Sequence, residues 1–321
     1  MSLPLPDGVR RAWPRLRLLG GALVLALLLW RFGTGPFADA WRVTTWPSVA
    51  AALVVNVGST LACAWRWRVV ARSLGAPLGV RESVTAYYRS QFLNTVLPGG
   101  VLGDAHRGVR HGRAAGDLGV GLRATVWDRV TGQAVQAGLL VLALGLLGSP
   151  LAGGTPYAVL AGLVAVGAVM LVARRAAPAT AWVGGDLRRL LRPPAAGRIA
   201  LASLGSSAGH VAVFLLAAHA VGVDASLPVL LTIALVVLVG SAVPLNVAGW
   251  GPREGVTAWV FAVVGLGPAT GLTVSIGYGV LGAVATAPGA VVLLGDAVRR
   301  RARRPAPTPA PVLVLEEAVR G

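Results

Sequence analysis

Apolar runs of membrane-crossing length recur along this chain, and most are closed or preceded by arginine. Residues 47–65 end on Arg66, Arg68 and Arg72, residues 157–173 end on Arg174 and Arg175, and residues 199–221 follow Arg198. Residues 18–30 follow Arg10, Arg11, Arg15 and Arg17, and residues 270–294 precede Arg299, Arg300, Arg301, Arg303 and Arg304. Residues 118–147, 230–243 and 255–266 complete the set. A helix needs about 20 apolar residues to cross a bilayer, and in lipid a helix satisfies its backbone polar groups internally. Arginines collect on the cytoplasmic side of membrane proteins. The pattern therefore predicts an all-α, polytopic helical membrane protein with about eight transmembrane helices, two broken or re-entrant segments, and both termini in the cytoplasm. It divides into a basic N-terminus (1–17), a transmembrane domain (18–294) and a basic tail (295–321) with a Pro/Ala linker. A cleaved signal peptide is disfavoured at the start, because Arg31 and a long gap separate the apolar core from Ala38 and Ala40.

Composition narrows the chemistry. The chain of 321 residues is 55% hydrophobic and 13% charged, with a mean hydropathy of +0.71. Soluble domains carry about a quarter charged residues, so the surface of this one belongs in lipid. All 29 of its basic Lys/Arg residues are arginine, against 12 acids. Without lysine there is neither a Walker-type phosphate grip nor a Schiff base. The single Cys63 is a small apolar-run residue with no intrachain disulfide to form. Asn56 sits mid-run, where a helix–helix hydrogen bond is expected, and Trp65 and Trp67 beside the arginines suit an interfacial anchor.

The stretch QFLNTVLPGGVLGDAHRG, residues 91–108, interrupts the pattern. Pro98, Gly99, Gly100 and Gly103 cannot sit in a straight helix. The segment around them is too polar to cross and too apolar for a plain loop, which predicts backbone that dips into the membrane from the cytoplasmic side and returns. A second stretch, VPLNVAGWGPREG at 243–255, repeats the theme with Pro244, Asn246, Gly249, Gly251, Arg253 and Glu254. Each runs from glycines to an acid to a helix-compatible segment. Broken helices at membrane depth present free amides to anions, and arginine adds a planar donor fork for phosphate. The expected binding set is Asn94, Asp104, Arg107, Arg129, Asn246, Arg253 and Glu254, gathered in one cleft. Arg107 shares a helix face with Asp104. The two acids pin the arginines, take up protons, or cap their helices; Asp128, adjacent to Arg129, is as well placed to be an interfacial charge.

The pattern Asn94, Pro98-Gly99, Gly103-Asp104 and Arg107, with Arg129 in the next helix and Gly249, Gly251 and Arg253-Glu254 later, resembles the flippase-like integral membrane family. This is the transmembrane portion of lysylphosphatidylglycerol synthases and their stand-alone relatives. The resemblance extends over about residues 18–294. It implies lipid translocation, or support of lipid-linked biosynthesis. Relatives that aminoacylate lipid carry a soluble catalytic domain after the membrane part, so lysine transfer is not expected here.

The expectation is an inner-membrane protein that translocates or presents a phosphate-bearing lipid, a phospholipid or a polyprenyl-phosphate lipid. Alternatives are a membrane partner of a lipid-linked glycosyltransferase and an ion-coupled small-solute transporter. No enzymatic constellation is visible: there is no nucleophile elbow, and the pairs His106/His111 and His210/His219 are poorly spaced to share a metal on a helix. No cofactor and no nucleic acid partner are expected. The tail arginines set topology or draw anionic lipid.

Overall fold

The computed structural model describes residues 30, 33–97, 100–146, 181–241 and 251–302. The expected first and fourth crossings, 18–30 and 157–173, lie almost wholly outside the described residues. So do Pro98, Gly99, Pro244, Asn246 and Gly249.

Every described element is a helix, as the polytopic pattern requires. In chain order they are α1 (Gly35–Val43), α2 (Trp46–Ser73), α3 (Val80–Val96), α4 (Leu102–Ala114), α5 (Leu118–Leu146) and α6 (Ala181–Leu190). Then follow α7 (Pro193–Val221), α8 (Leu227–Gly240), α9 (Pro252–Val263), α10 (Pro268–Ala285) and α11 (Pro288–Ala302). Among the described residues, four stretches are long and apolar enough to cross a membrane: α2, α5, α7, and α10 running on into α11 to Arg299. Helices α8 and α9, at 14 and 12 residues, rise only about 21 and 18 Å at 1.5 Å per residue. Each therefore covers about two-thirds of a bilayer core about 30 Å thick.

Sequence chemistry sets the ends. Pro193 opens α7, where its missing N–H is no loss, and Gly222 closes it with φ +77°. There Val223 N–H donates to Ala218 O at 3.0 Å, the longer-range bond of a helix stop. Helices α2 and α7 form the central antiparallel pair. Gly209 meets Ser59, Gly205 lies near Ala62, and Arg66 reaches Ser203 and Ser206. Small residues let the backbones approach without a hydrophobic driving force. Asn56 makes the expected interhelical bond, donating from Nδ2 to Ala285 O at 2.7 Å.

Two apolar cores lie along the bundle. One joins Ala64, Trp67 and Val70 of α2 to Ala124 and Trp127 of α5, Leu190 of α6 and Ile199 of α7. The other joins Phe214 of α7, Ile233 and Val237 of α8, Phe261 of α9 and Val274 of α10. The end of α2 that carries Arg68 and Arg72 faces the start of α7. Trp41 near the end of α1 and Trp46 at the start of α2, toward the opposite end, are exposed, as an aromatic belt is.

Helices α3 and α4 form a hairpin whose outer ends meet, His111 Nε2 lying 3.1 Å from Ala76 O before α3. Its tip reaches inward: Gly100 O accepts from Arg129 Nη2 at 2.9 Å. Arg129 lies about 16 Å along α5 from Leu118 at the helical rise. The outer ends thus share one side of the bundle and the tip lies partway along α5, the geometry of an out-and-back hairpin. The hairpin is fastened to α5 by glycine contact, because a Cβ on Gly121 would overlap Gly112 and meet Gly108 O at 2.5 Å.

This contact predicts that Gly121→Val drives α4 off α5. The expected loss is about 1–3 kcal/mol, the usual range for overpacking, read as a lowered thermal midpoint in detergent; Gly138→Val, where a Cβ meets nothing within 4 Å, serves as the neutral control.

Candidate functional site

The hairpin tip is built around Asp104 in the first turn of α4. Ser90 Oγ donates to its Oδ1 at 2.7 Å, and Asn94 Nδ2 to its Oδ2 at 3.1 Å. Asn94 turns its other amide atom back, accepting from Gly103 N–H at 2.8 Å. One asparagine thus ties the last turn of α3 to the first turn of α4 across the break. Gly103 is required there, because a Cβ would run into Ser90 O. Gly100, φ +58°, shapes the approach.

Two arginines flank the carboxylate. Arg107, one turn on, donates from Nη2 to Asp104 Oδ1 at 3.1 Å. Arg129 of α5 donates from Nε to Asp104 Oδ2 and from Nη2 to Gly100 O. Their environments differ. Arg107 is 2% exposed, whereas the Arg129 side chain keeps 40% of its surface exposed.

Arg107 also reaches Asp128 Oδ2 at 2.9 Å. Asp128 is fully buried, not interfacial as its position beside Arg129 suggested. It accepts from Arg66 Nε at 2.8 Å, Tyr87 Oη at 2.8 Å and Arg107 Nη2. Arg66, expected to be a flank of the second crossing, is likewise drawn inside, because α2 continues past it to Ser73. Trp67, expected as an interfacial anchor, is 1% exposed. Its ring and that of Tyr87 lie under the Arg107 guanidinium, with Cζ 4.5 and 4.1 Å from the centroids. Arg107 Nε and Nη1 are buried without a hydrogen-bond partner. The two ring faces take that charge, worth about 2 kcal/mol or more when desolvated. Gly132 makes room for the network: a Cβ there would stand 2.6 Å from Arg66 Nη1.

Among the described residues, charge does not balance. Arg66, Arg107 and Arg129 face Asp104 and Asp128, three cations against two anions. The outermost cation is Arg129.

The second motif forms a smaller cluster. Pro252 opens α9, and Glu254, fully buried, accepts from Gly251 N–H at 2.7 Å. This is one arm of a capping box, and Gly251, at φ +147°, adopts a backbone that favours glycine. Arg253 donates from Nε to Glu254 Oε1 at 2.9 Å, and its Cζ stands 5.5 Å from the Tyr278 ring of α10. Ser275 Oγ adds a longer contact to Glu254 at 3.4 Å.

The structure thus brings together Asn94, Gly100, Gly103, Asp104, Arg107 and Arg129, and separately Gly251, Arg253 and Glu254. Among the described residues, no hydrogen bond or ion pair joins the two clusters. Arg66, Trp67, Tyr87 and Asp128 belong to the first cluster and were not singled out by its sequence motif. The available signal was charge: Asp128 is the only acid within residues 118–146, and such a residue at membrane depth seeks a cation.

A family model, the lysylphosphatidylglycerol synthase TM region, matches residues 16–289. No curated protein and no solved structure matches the chain. The match extends over most of the sequence, and the chain belongs to this family of membrane proteins involved in lipid handling.

Asp128→Asn leaves Arg66 and Arg107 short of a counter-charge in a buried site, which predicts a loss of about 3–5 kcal/mol. The thermal midpoint of the purified protein should fall accordingly. The double variant Asp128→Asn with Arg66→Met should recover part of the loss, since it removes one uncompensated cation along with the anion.

Proposed function

We propose that the α3–α4 hairpin and α5 seat the phosphate of a lipid headgroup, and that the protein translocates or presents a phosphate-bearing lipid at the cytoplasmic membrane. The observation that carries this is the unbalanced charge at the hairpin tip, with Arg129 held by Asp104 and Gly100 yet 40% exposed. A phosphate at that point supplies the missing anion and accepts from a pre-oriented guanidinium. Asp104 serves as the positioning group: it fixes both arginines without neutralising all the charge. Arg107 is locked between two carboxylates and two rings, so it contributes field more than contact.

The physical difficulty in moving a phospholipid is the large penalty of bringing a charged headgroup into hydrocarbon. A polar tip at membrane depth lowers that penalty while the acyl chains remain in lipid. Arg253, 19% exposed beside Glu254, offers a second cation on the far motif. The protein acts here as a carrier or platform rather than a catalyst, with both termini on the cytoplasmic side. Presentation to a glycosyltransferase partner would use the same seat and differ only in where the lipid goes next.

The test is exchange of a labelled anionic phospholipid in reconstituted vesicles, beside equilibrium binding of the same lipid. Arg129→Gln should slow exchange and weaken binding about 10- to 100-fold, the range for one charged hydrogen bond. Binding without accelerated exchange would favour presentation over translocation. Equal binding by wild type and Arg129→Gln would overturn the seat.

A further inference from the structure

Away from the hairpin tip, a cavity of about 260 Å³ opens where the end of α2 meets the start of α7. Arg68, Arg72 and Arg198 line it, with Trp65, Ser73 and Pro194. Several other arginines of the bundle are paired: Arg66 with Asp128, Arg123 with Asp186, Arg110 with Asp296, and Arg253 with Glu254. None of the three cavity arginines makes an ion pair with a described residue, and no carboxylate of a described residue lines the space. Arg68 is oriented by its Nε donating to Leu78 O at 3.0 Å. Arg72 and Arg198 are exposed. Pro193 and Pro194 have no N–H, and the Ala195 and Ala196 amides already donate to Arg192 O. An anion here is therefore held by guanidinium groups, not by the start of the helix.

The groove has a direction. Along α2, residues 61, 65, 68 and 72 repeat at helical spacing, and along α7 residues 194, 198 and 201 do the same, so each line is one face. Moving away from the arginines, those faces become apolar and open: Trp65 is 37% exposed, Leu61 48%, Leu201 62% and Leu204 43%. A soluble anion has no use for such a track. An acyl chain does.

The geometry points to a second lipid site, in which the phosphate of an anionic phospholipid sits among Arg68, Arg72 and Arg198 and its acyl chain lies along Leu61 and Leu201. It is separate from the seat at Asp104 and Arg129 and does not depend on that assignment. Because it bridges the ends of the central helix pair, its occupant clamps α2 to α7.

The test is a thermal-shift and binding titration of the full chain in a neutral detergent, with phosphatidylglycerol, phosphatidylcholine, and inorganic phosphate as separate arms. Phosphatidylglycerol should raise the thermal midpoint, and the other two should not. Arg72→Gln with Arg198→Gln should weaken phosphatidylglycerol binding about 30-fold, at about fivefold per cation, and Arg129→Gln should leave this thermal shift intact. Brominated phosphatidylglycerol should also quench a part of the tryptophan fluorescence that is lost in Trp65→Phe. Equal shifts from phosphatidylglycerol and phosphatidylcholine, a full shift from inorganic phosphate, or unchanged binding in the double arginine variant would each overturn the site.

Discussion

A buried carboxylate holds the first core and the hairpin tip together. Asp128 accepts hydrogen bonds from α2, α3 and α4 while itself belonging to α5, through Arg66, Tyr87 and Arg107. In hydrocarbon an ion of this kind is tolerated only when its partners are exact in place and number, so the four helices have little freedom to slide. The cation–ring stack of Arg107 on Trp67 and Tyr87 then extends the same cluster into the apolar core. From that fixed point Asp104 and Arg129 are carried outward to the hairpin tip.

The arrangement separates two duties that arginine performs in membranes. Arg66 and Arg107 are spent on architecture, fully enclosed and paired. Arg129 is steered by its carboxylate but left open. Membership in a lipid-handling family gives that difference its functional weight. The arginines at the end of the α2–α7 pair differ again: they lie at the bundle's edge, unpaired among the described residues, above an apolar groove.

Much of the fold was legible because its signals are local. Apolar runs, most of them flanked by arginine, locate α2, α5, α7 and α10, and the Pro98-to-Gly103 stretch marks the break between α3 and α4. Asp104 with Arg107 was legible too, since three residues on a helix place both on one face. Arg66 and Asp128 were not. Arg66 follows an apolar run as any topogenic arginine does, and only the continuation of α2 to Ser73 draws it inside. Asp128 lies 62 residues from Arg66, and no spacing rule relates them. Trp67 was misplaced for the same reason: an interfacial tryptophan and a tryptophan under a guanidinium have the same neighbours in sequence.

The pairing of Arg253 with the very next residue has a mechanical corollary. An ion pair between sequence neighbours travels with its helix, so it ties α9 to nothing but itself. Across the boundary between α3–α5 and α8–α10, the packed surfaces are apolar side chains such as Leu140, Ile233 and Phe261. Only where α11 continues α10 does charge cross this boundary between described residues, Asp296 pairing with Arg89 of α3 and Arg110 of α4. The seam is thus pinned by charge at Asp296 and greasy along the rest of its length.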